Sequence, residues 1–170
     1  MAWLRRAGRG QLPDGGVVAW SVAEGRHGRR WRWTVVDPTG PTAGPPRLRH
    51  AGLIELDPAG GFSRLEVESA DGMLTFHPDP EGAGAHGNVV RADGVTPVAC
   101  GWTDGDAVRL IADSFGTAVA GWRGRGVVVT PELVVGRSGS GRDPDEGEAL
   151  VLDDRGVPVL DDAIDWALEV

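Results

Sequence analysis

Residues 17–36, VVAWSVAEGRHGRRWRWTVV, constrain the fold more than any other stretch. Large apolar residues alternate there with polar or small ones, the spacing of a strand with one buried face. A reversal around residues 25–28 sets Trp20 opposite Trp33, Val18 opposite Val35 and Val22 opposite Trp31. One face then carries these valines and tryptophans. The other carries Ser21, Arg30, Arg32 and Thr34. A one-residue slip would turn every large apolar group into water, so the register is strongly specified.

The same pattern continues downstream. GLIELD, FSRLEVE and GMLTFH read as three strands in meander order, separated by the turn-rich DPAGG and SADG. Ile54 and Leu56 then meet Leu65 and Val67, which meet Leu74 and Phe76; Glu55, Arg64, Glu66, Glu68, Thr75 and His77 share the opposite face. NVVRADGVTPVACGW reads as two strands around residues 92–94. Asp104-Gly105 is the strongest hairpin turn and predicts pairing of VACGW with AVRLIAD, a hairpin apolar on both faces. VVVTPELVV is strand, broken at Pro131. ALVLDDRGVPVL reads as a further hairpin with Gly156 in its turn.

Phe115, Ala118, Val119 and Trp122 have helical spacing, and Ser114 can cap the start. The spacing predicts one short helix, about 114–123, against the dry face. The final DDAIDWALEV fits a short C-terminal helix or a last strand. Residues 1–16 read as a loose N-terminal arm, and the Pro/Gly-rich 37–50 as a crossing loop without period. The expected fold is mainly β: one domain over 17–170, a strongly curved antiparallel sheet or half-barrel of many short strands. A chain of 170 residues is the size of a single domain.

Composition removes some function classes. All seventeen basic residues are Arg, and Asn occurs once. A GC-rich coding sequence produces such a bias, so Arg abundance does not argue for nucleic acid, and none is expected as a partner. Residues 143–170 carry ten acids against Arg155, whereas residues 1–50 carry nine Arg against three acids. The basic front and acidic tail can attract each other within the chain or in a homodimer, although ordinary solvated surface is the simpler reading. No run reaches the ~20 apolar residues of a membrane span. The lone Cys100 cannot form an internal disulfide, and a cytoplasmic location is expected.

Few residues suggest chemistry. His77 and His86 flank the glycine-rich PDPEGAGAHG, with Asp79 and Asn88 near. If that loop folds back, two imidazoles and a carboxylate converge on a polar or metal site. Solvated histidines beside a turn are the simpler alternative. Cys100 sits mid-strand among small residues, as an inert thiol does. The pairs Asp153/Asp154 and Asp161/Asp162 lack the ligand spacing of a calcium loop. Trp20, Trp31 and Trp33, with Trp102 and Trp122, form the larger aromatic set, able to line a cavity or fill a core.

The segment LTFHPDPEGAGAHGNVVRADGV resembles a signature of uncharacterised high-GC bacterial proteins. The ending LVLDDRGVPVLDDAIDWALE is similar in style to lipid-carrier-like domains, among them glycolipid-binding proteins of bacteria. The resemblance implies a curved sheet wrapping a helix. That group's middle motif, an acidic Cys-containing segment running into Asn-Leu-Pro-Ile-Arg-Arg, is missing, and TPVACGW stands near its place. No functional residue transfers. The expectation is a non-enzymatic domain binding an apolar small molecule or lipid, without a cofactor. A metal-dependent hydrolase using His77 and His86 and a protein-interaction module are the alternatives.

Overall fold

The structure is a computed structural model describing residues 4–37, 44–81, 83–138, 151–152, 158–159 and 167–169. The strands are β1 (Leu4–Gln11), β2 (Val17–Gly25), β3 (Gly28–Asp37), β4 (Arg47–Leu56), β5 (Phe62–Ser69), β6 (Gly72–Pro78), β7 (Gly84–Arg91) and β8 (Gly94–Gly101). Then come β9 (Ala107–Leu110), the helix α1 (Ser114–Val119), β10 (Gly126–Val129), β11 (Val135–Arg137), β12 (Val151–Leu152), β13 (Pro158–Val159) and β14 (Ala167–Glu169). The mainly β architecture expected from the alternation is the one observed.

β1 to β8 follow one another in a strongly curved antiparallel meander, and β14 adds to the outer side of β1. The sheet is open: β14 and β8 are its two edges, and it does not close into a barrel. The β2–β3 register is the one the alternation requires, with Trp20 opposite Trp33, Val18 opposite Val35 and Val22 opposite Trp31. Ile54 faces Leu65, Leu65 faces Phe76 and Val67 faces Leu74. Leu56 departs from expectation. A bulge after Glu55 pairs it with Phe62 instead.

Two tryptophans of the dry face lie over cross-strand glycines. Gly8 pairs with Trp20 and Gly52 with Trp33. A Cβ added at Gly52 would stand 2.1 Å from Trp33 Cζ2, and one at Gly8 2.7 Å from Trp20 Cζ2. The indoles occupy the space a side chain would take, as aromatic rings do over strand glycines.

A three-stranded sheet, β11-β10-β9, and α1 cover the concave face. Val108, Leu110, Phe115, Val119, Val127, Val129 and Leu133 meet the inward residues of β2 to β7 in one continuous core. Phe115 lies within 6.3 Å, centroid to centroid, of Trp20, Trp31 and Trp33. The helix therefore packs on the dry face, as its spacing predicts. It is shorter than 114–123 and its cap is Asp113, whose side chain accepts the Gly116 N–H.

Several expectations are corrected. Residues 4–11 of the expected loose arm form β1, because the small Ala7, Gly8 and Gly10 lie flat against β2 and satisfy its free edge. Asp104-Gly105 makes a tight turn, with Asp106 N–H on Thr103 O at 2.9 Å, but no hairpin follows. Among the described residues β8 pairs with β7 alone, and β9 pairs in parallel with β10. The buried Asp106 drives the departure. It accepts the Thr103 N–H and stands 2.9 Å from Arg125 Nε and 3.2 Å from Arg137 Nη2. The residues between β9 and β10, α1 among them, supply the long crossover a parallel pair needs. The apolar character of β9 thus belongs to a covering layer, while β8 is an exposed edge.

β12 and β13 pair as the expected hairpin, and β14 gives the strand alternative at 167–169. Trp166, Asp153/Asp154 and Asp161/Asp162 lie outside the described residues. No helix among the described residues is long and apolar enough to cross a membrane.

Candidate functional site at the β4 bulge

Along the concave face the inward positions are apolar until one corner. Val18 and Val35 are followed across the sheet by His50 on β4 and Ser69 on β5. These two residues are direct cross-strand partners, which sets their Cβ atoms about 4.5–5.5 Å apart. Polar groups on an otherwise dry face need partners or a ligand.

A β-bulge shapes this corner. Val35 pairs with His50 and Val36 with Leu48, so Arg49 is an extra residue in β4. In a regular strand Arg49 and His50 would point to opposite faces. The bulge brings both onto the lining of one cleft. The cleft holds about 210 Å³ and lies between the β4–β5 corner and the β9–β10 layer. Val67, Leu110 and Val129 give it an apolar floor, and Asp14, Arg49, His50, Ser69 and Asp113 a polar side.

Asp113 organises the polar side. Its side chain is 3% exposed. Oδ2 accepts from Trp33 Nε1 at 2.8 Å and contacts His50 Nε2 at 2.8 Å; Oδ1 accepts from Gly116 N at 2.8 Å. An ionised carboxylate only accepts, so opposite it His50 Nε2 is the donor of this hydrogen bond. The imidazole is 15% exposed and lines the cleft. Ala112, next to Asp113 and also in the lining, has φ of 61°. A non-glycine residue held in that left-handed region is strained by about 1–3 kcal/mol, and such strain concentrates at functional sites.

Arg49 is fixed by two acids. Nη1 donates to Asp14 Oδ2 at 2.6 Å, and Nε donates to Asp37. The hydrogen bond to Asp37 does most to raise its pKa above the ordinary arginine value, with Asp14 adding to it against desolvation. Among the described residues Arg49 is the one arginine in the cleft lining, which also holds Asp14, Asp71 and Asp113.

The residues singled out in the sequence lie elsewhere. Trp20, Trp31 and Trp33 come together around Phe115, and Trp102 packs on Phe62 and Phe76 with centroids 5.1 and 6.2 Å away. All four are buried members of the hydrophobic core cluster. Trp33 alone reaches the cleft wall, through Asp113. Trp122 is half-buried and outside the core cluster. His77 and His86 do converge, as cross-strand partners with ring centroids 4.1 Å apart. Asp79 pairs with His86 Nδ1, and Asn88 lies on the same outer face of β7. Among the described residues no group of three or more His, Cys, Asp or Glu is arranged to hold a metal ion.

Comparison with protein families, with curated proteins and with solved structures finds no match to this chain.

Proposed function

We propose that this protein is a small-molecule-binding domain and that its ligand occupies the cleft at the β4 bulge. One observation carries the reading: a bulge, a strained Ala112 and a buried Asp113 together aim polar groups into a half-apolar hollow. A chain selected only for a filled core has no use for His50 and Ser69 at inward positions. Binding sites are typically concave and mostly apolar, with a few placed polar groups.

Size and charge narrow the ligand. About 210 Å³ is below the usual range for drug-sized ligands and too small for a long acyl chain. Three acids against Arg49 disfavour an anion such as a free fatty acid. The ligand is a compact, uncharged molecule whose apolar body rests on Val67, Leu110 and Val129. The likeness to lipid-carrier domains is consistent with an apolar body but not with a whole lipid in this cleft.

Ligand-observed NMR with uncharged fragments tests this. Fragments bind the wild type and lose their signal in Ala70→Trp, where an exposed lining residue is enlarged across the mouth. Equal signals from the variant would place binding elsewhere and refute the reading.

A further inference from the structure

We propose that the cleft at the β4 bulge hydrolyses small uncharged carboxylic esters, with His50 as the general base. This rests on the small-molecule reading above and adds chemistry to it. The pairing of His50 Nε2 with Asp113 at 2.8 Å orients the ring, and in the tautomer with its hydrogen on Nε2 the other nitrogen, Nδ1, takes the proton. Asp113 is held by two further donors, Trp33 Nε1 and the Gly116 N–H, so it is a rigid positioning residue. The His–carboxylate pair is the orienting half of many acyl-transfer sites, recognised by geometry and role rather than by sequence position.

Water is the attacking group. Ser69 is adjacent, but its hydroxyl oxygen is turned to the Asp71 N–H at 3.2 Å rather than to His50. His50 Nδ1 takes a proton from water as the water oxygen bonds to the acyl carbon. The carbonyl oxygen gains negative charge. Arg49, with N–H groups left over after Asp14 and Asp37, supplies the compensating positive charge. The carbonyl then re-forms, the bond from acyl carbon to alkoxy oxygen breaks, and the leaving oxygen takes the proton from the imidazolium. The products are an alcohol and a carboxylic acid, which ionises to solvent. The excess of Asp14, Asp71 and Asp113 over Arg49 admits a neutral ester and repels the carboxylate formed from it.

Phenyl acetate is the test substrate and acetanilide, its amide counterpart, the binding probe. Full-length protein should release phenol with saturable kinetics. His50→Gln should lose about a hundredfold or more in kcat while still binding acetanilide by NMR. Asp113→Asn should lower kcat more than it raises KM and change the pH profile, a signature that a purely structural role would not give. His77→Gln/His86→Gln should match the wild type. Acetanilide binding without ester hydrolysis, or a rate that survives His50→Gln, overturns the hydrolase while leaving the binding reading intact. Neither binding nor hydrolysis overturns both.

Discussion

Replacing Asp113 by Ala tests whether this one carboxylate ties the covering layer to the main sheet. The substitution removes three interactions at once: the cap on the Gly116 N–H and the contacts to Trp33 Nε1 and His50 Nε2, each at 2.8 Å. Loss of a helix N-cap costs about 1 kcal/mol. Trp33 is 2% exposed, so its N–H cannot turn to water, and stranding a buried donor costs about 1–3 kcal/mol. His50, nearer the cleft, recovers part of its loss from solvent. The total is about 3 kcal/mol, or a fall in melting temperature of roughly 6–12 °C for a domain of this size. Trp33→Phe alone removes the donor and also vacates the indole's space over Gly52, so it should cost about 2 kcal/mol or more. In Asp113→Ala/Trp33→Phe no indole N–H is left unpaired, so the double variant should be about 1 kcal/mol more stable than the two single losses added together. Urea denaturation with matched slopes measures all three variants. A loss below 1 kcal/mol in Asp113→Ala, or strict additivity in the double variant, would refute the reasoning.

Gly52→Ala should destabilise by about 2 kcal/mol or more through overpacking, since its Cβ would meet Trp33 Cζ2 at 2.1 Å, whereas Gly136→Ala, with nothing within 4 Å, should be far milder. Equal melting temperatures for the two would sink the idea that the indole fills the glycine's space. Ala112→Gly should raise stability by up to about 1 kcal/mol by relieving the left-handed strain, read by thermal unfolding; a clear loss would mean the backbone there is not strained. Burial does most to push the Cys100 thiol above its ordinary pKa, helped by Asp106 and opposed by Arg137. Less thiolate is then present at a given pH, so iodoacetamide should modify Cys100 more slowly than a free thiol at pH ~8 and accelerate as pH rises further. Intact-mass measurement checks this, and modification faster than a free thiol contradicts it.

How far the sequence was legible depends on the range of the interaction that fixes each element. The β2–β3 hairpin is specified by neighbours in the chain, and its pairing of Trp20 with Trp33 follows from period two and one glycine-bearing turn. The end of β8 reads as half of a hairpin because Asp104-Gly105 is a good local turn, while the decisive contacts of Asp106 reach forward to Arg125 and Arg137. The site was hidden by its own geometry. The bulge at Arg49 breaks the alternation of RLRHAGLIEL, so residues 47–50 read as the tail of a Pro/Gly loop. Asp113 stands beside Ser114, a cap of equal quality by residue type, and its bonds to His50 and Trp33 span 63 and 80 residues. One signal was available. Counting back by twos from Ile54 and forward from Val67 reaches His50 and Ser69, polar residues in positions the pattern reserves for apolar ones.

That polar pair also explains why the two layers part where they do. Elsewhere the buried inward residues of the main sheet join one apolar core with Val108, Leu110, Phe115, Val119, Val127 and Val129 of the covering layer. At the β4–β5 corner, closing the layers would bury His50, Ser69 and Arg49 against Leu110 and Val129, stranding polar groups at a cost of about 1–3 kcal/mol each. The hollow is therefore the lower-energy arrangement for this sequence. If so, an apolar corner should shut it. His50→Leu combined with Ser69→Val removes the polar groups, lets the β9–β10 layer settle onto β4 and β5, and should abolish fragment binding. The outlay is one lost partner for Asp113, whose remaining bonds to Trp33 and Gly116 keep it satisfied. A double variant that stays folded and still binds the same uncharged fragments would show that the cleft is held open by the backbone rather than by these side chains.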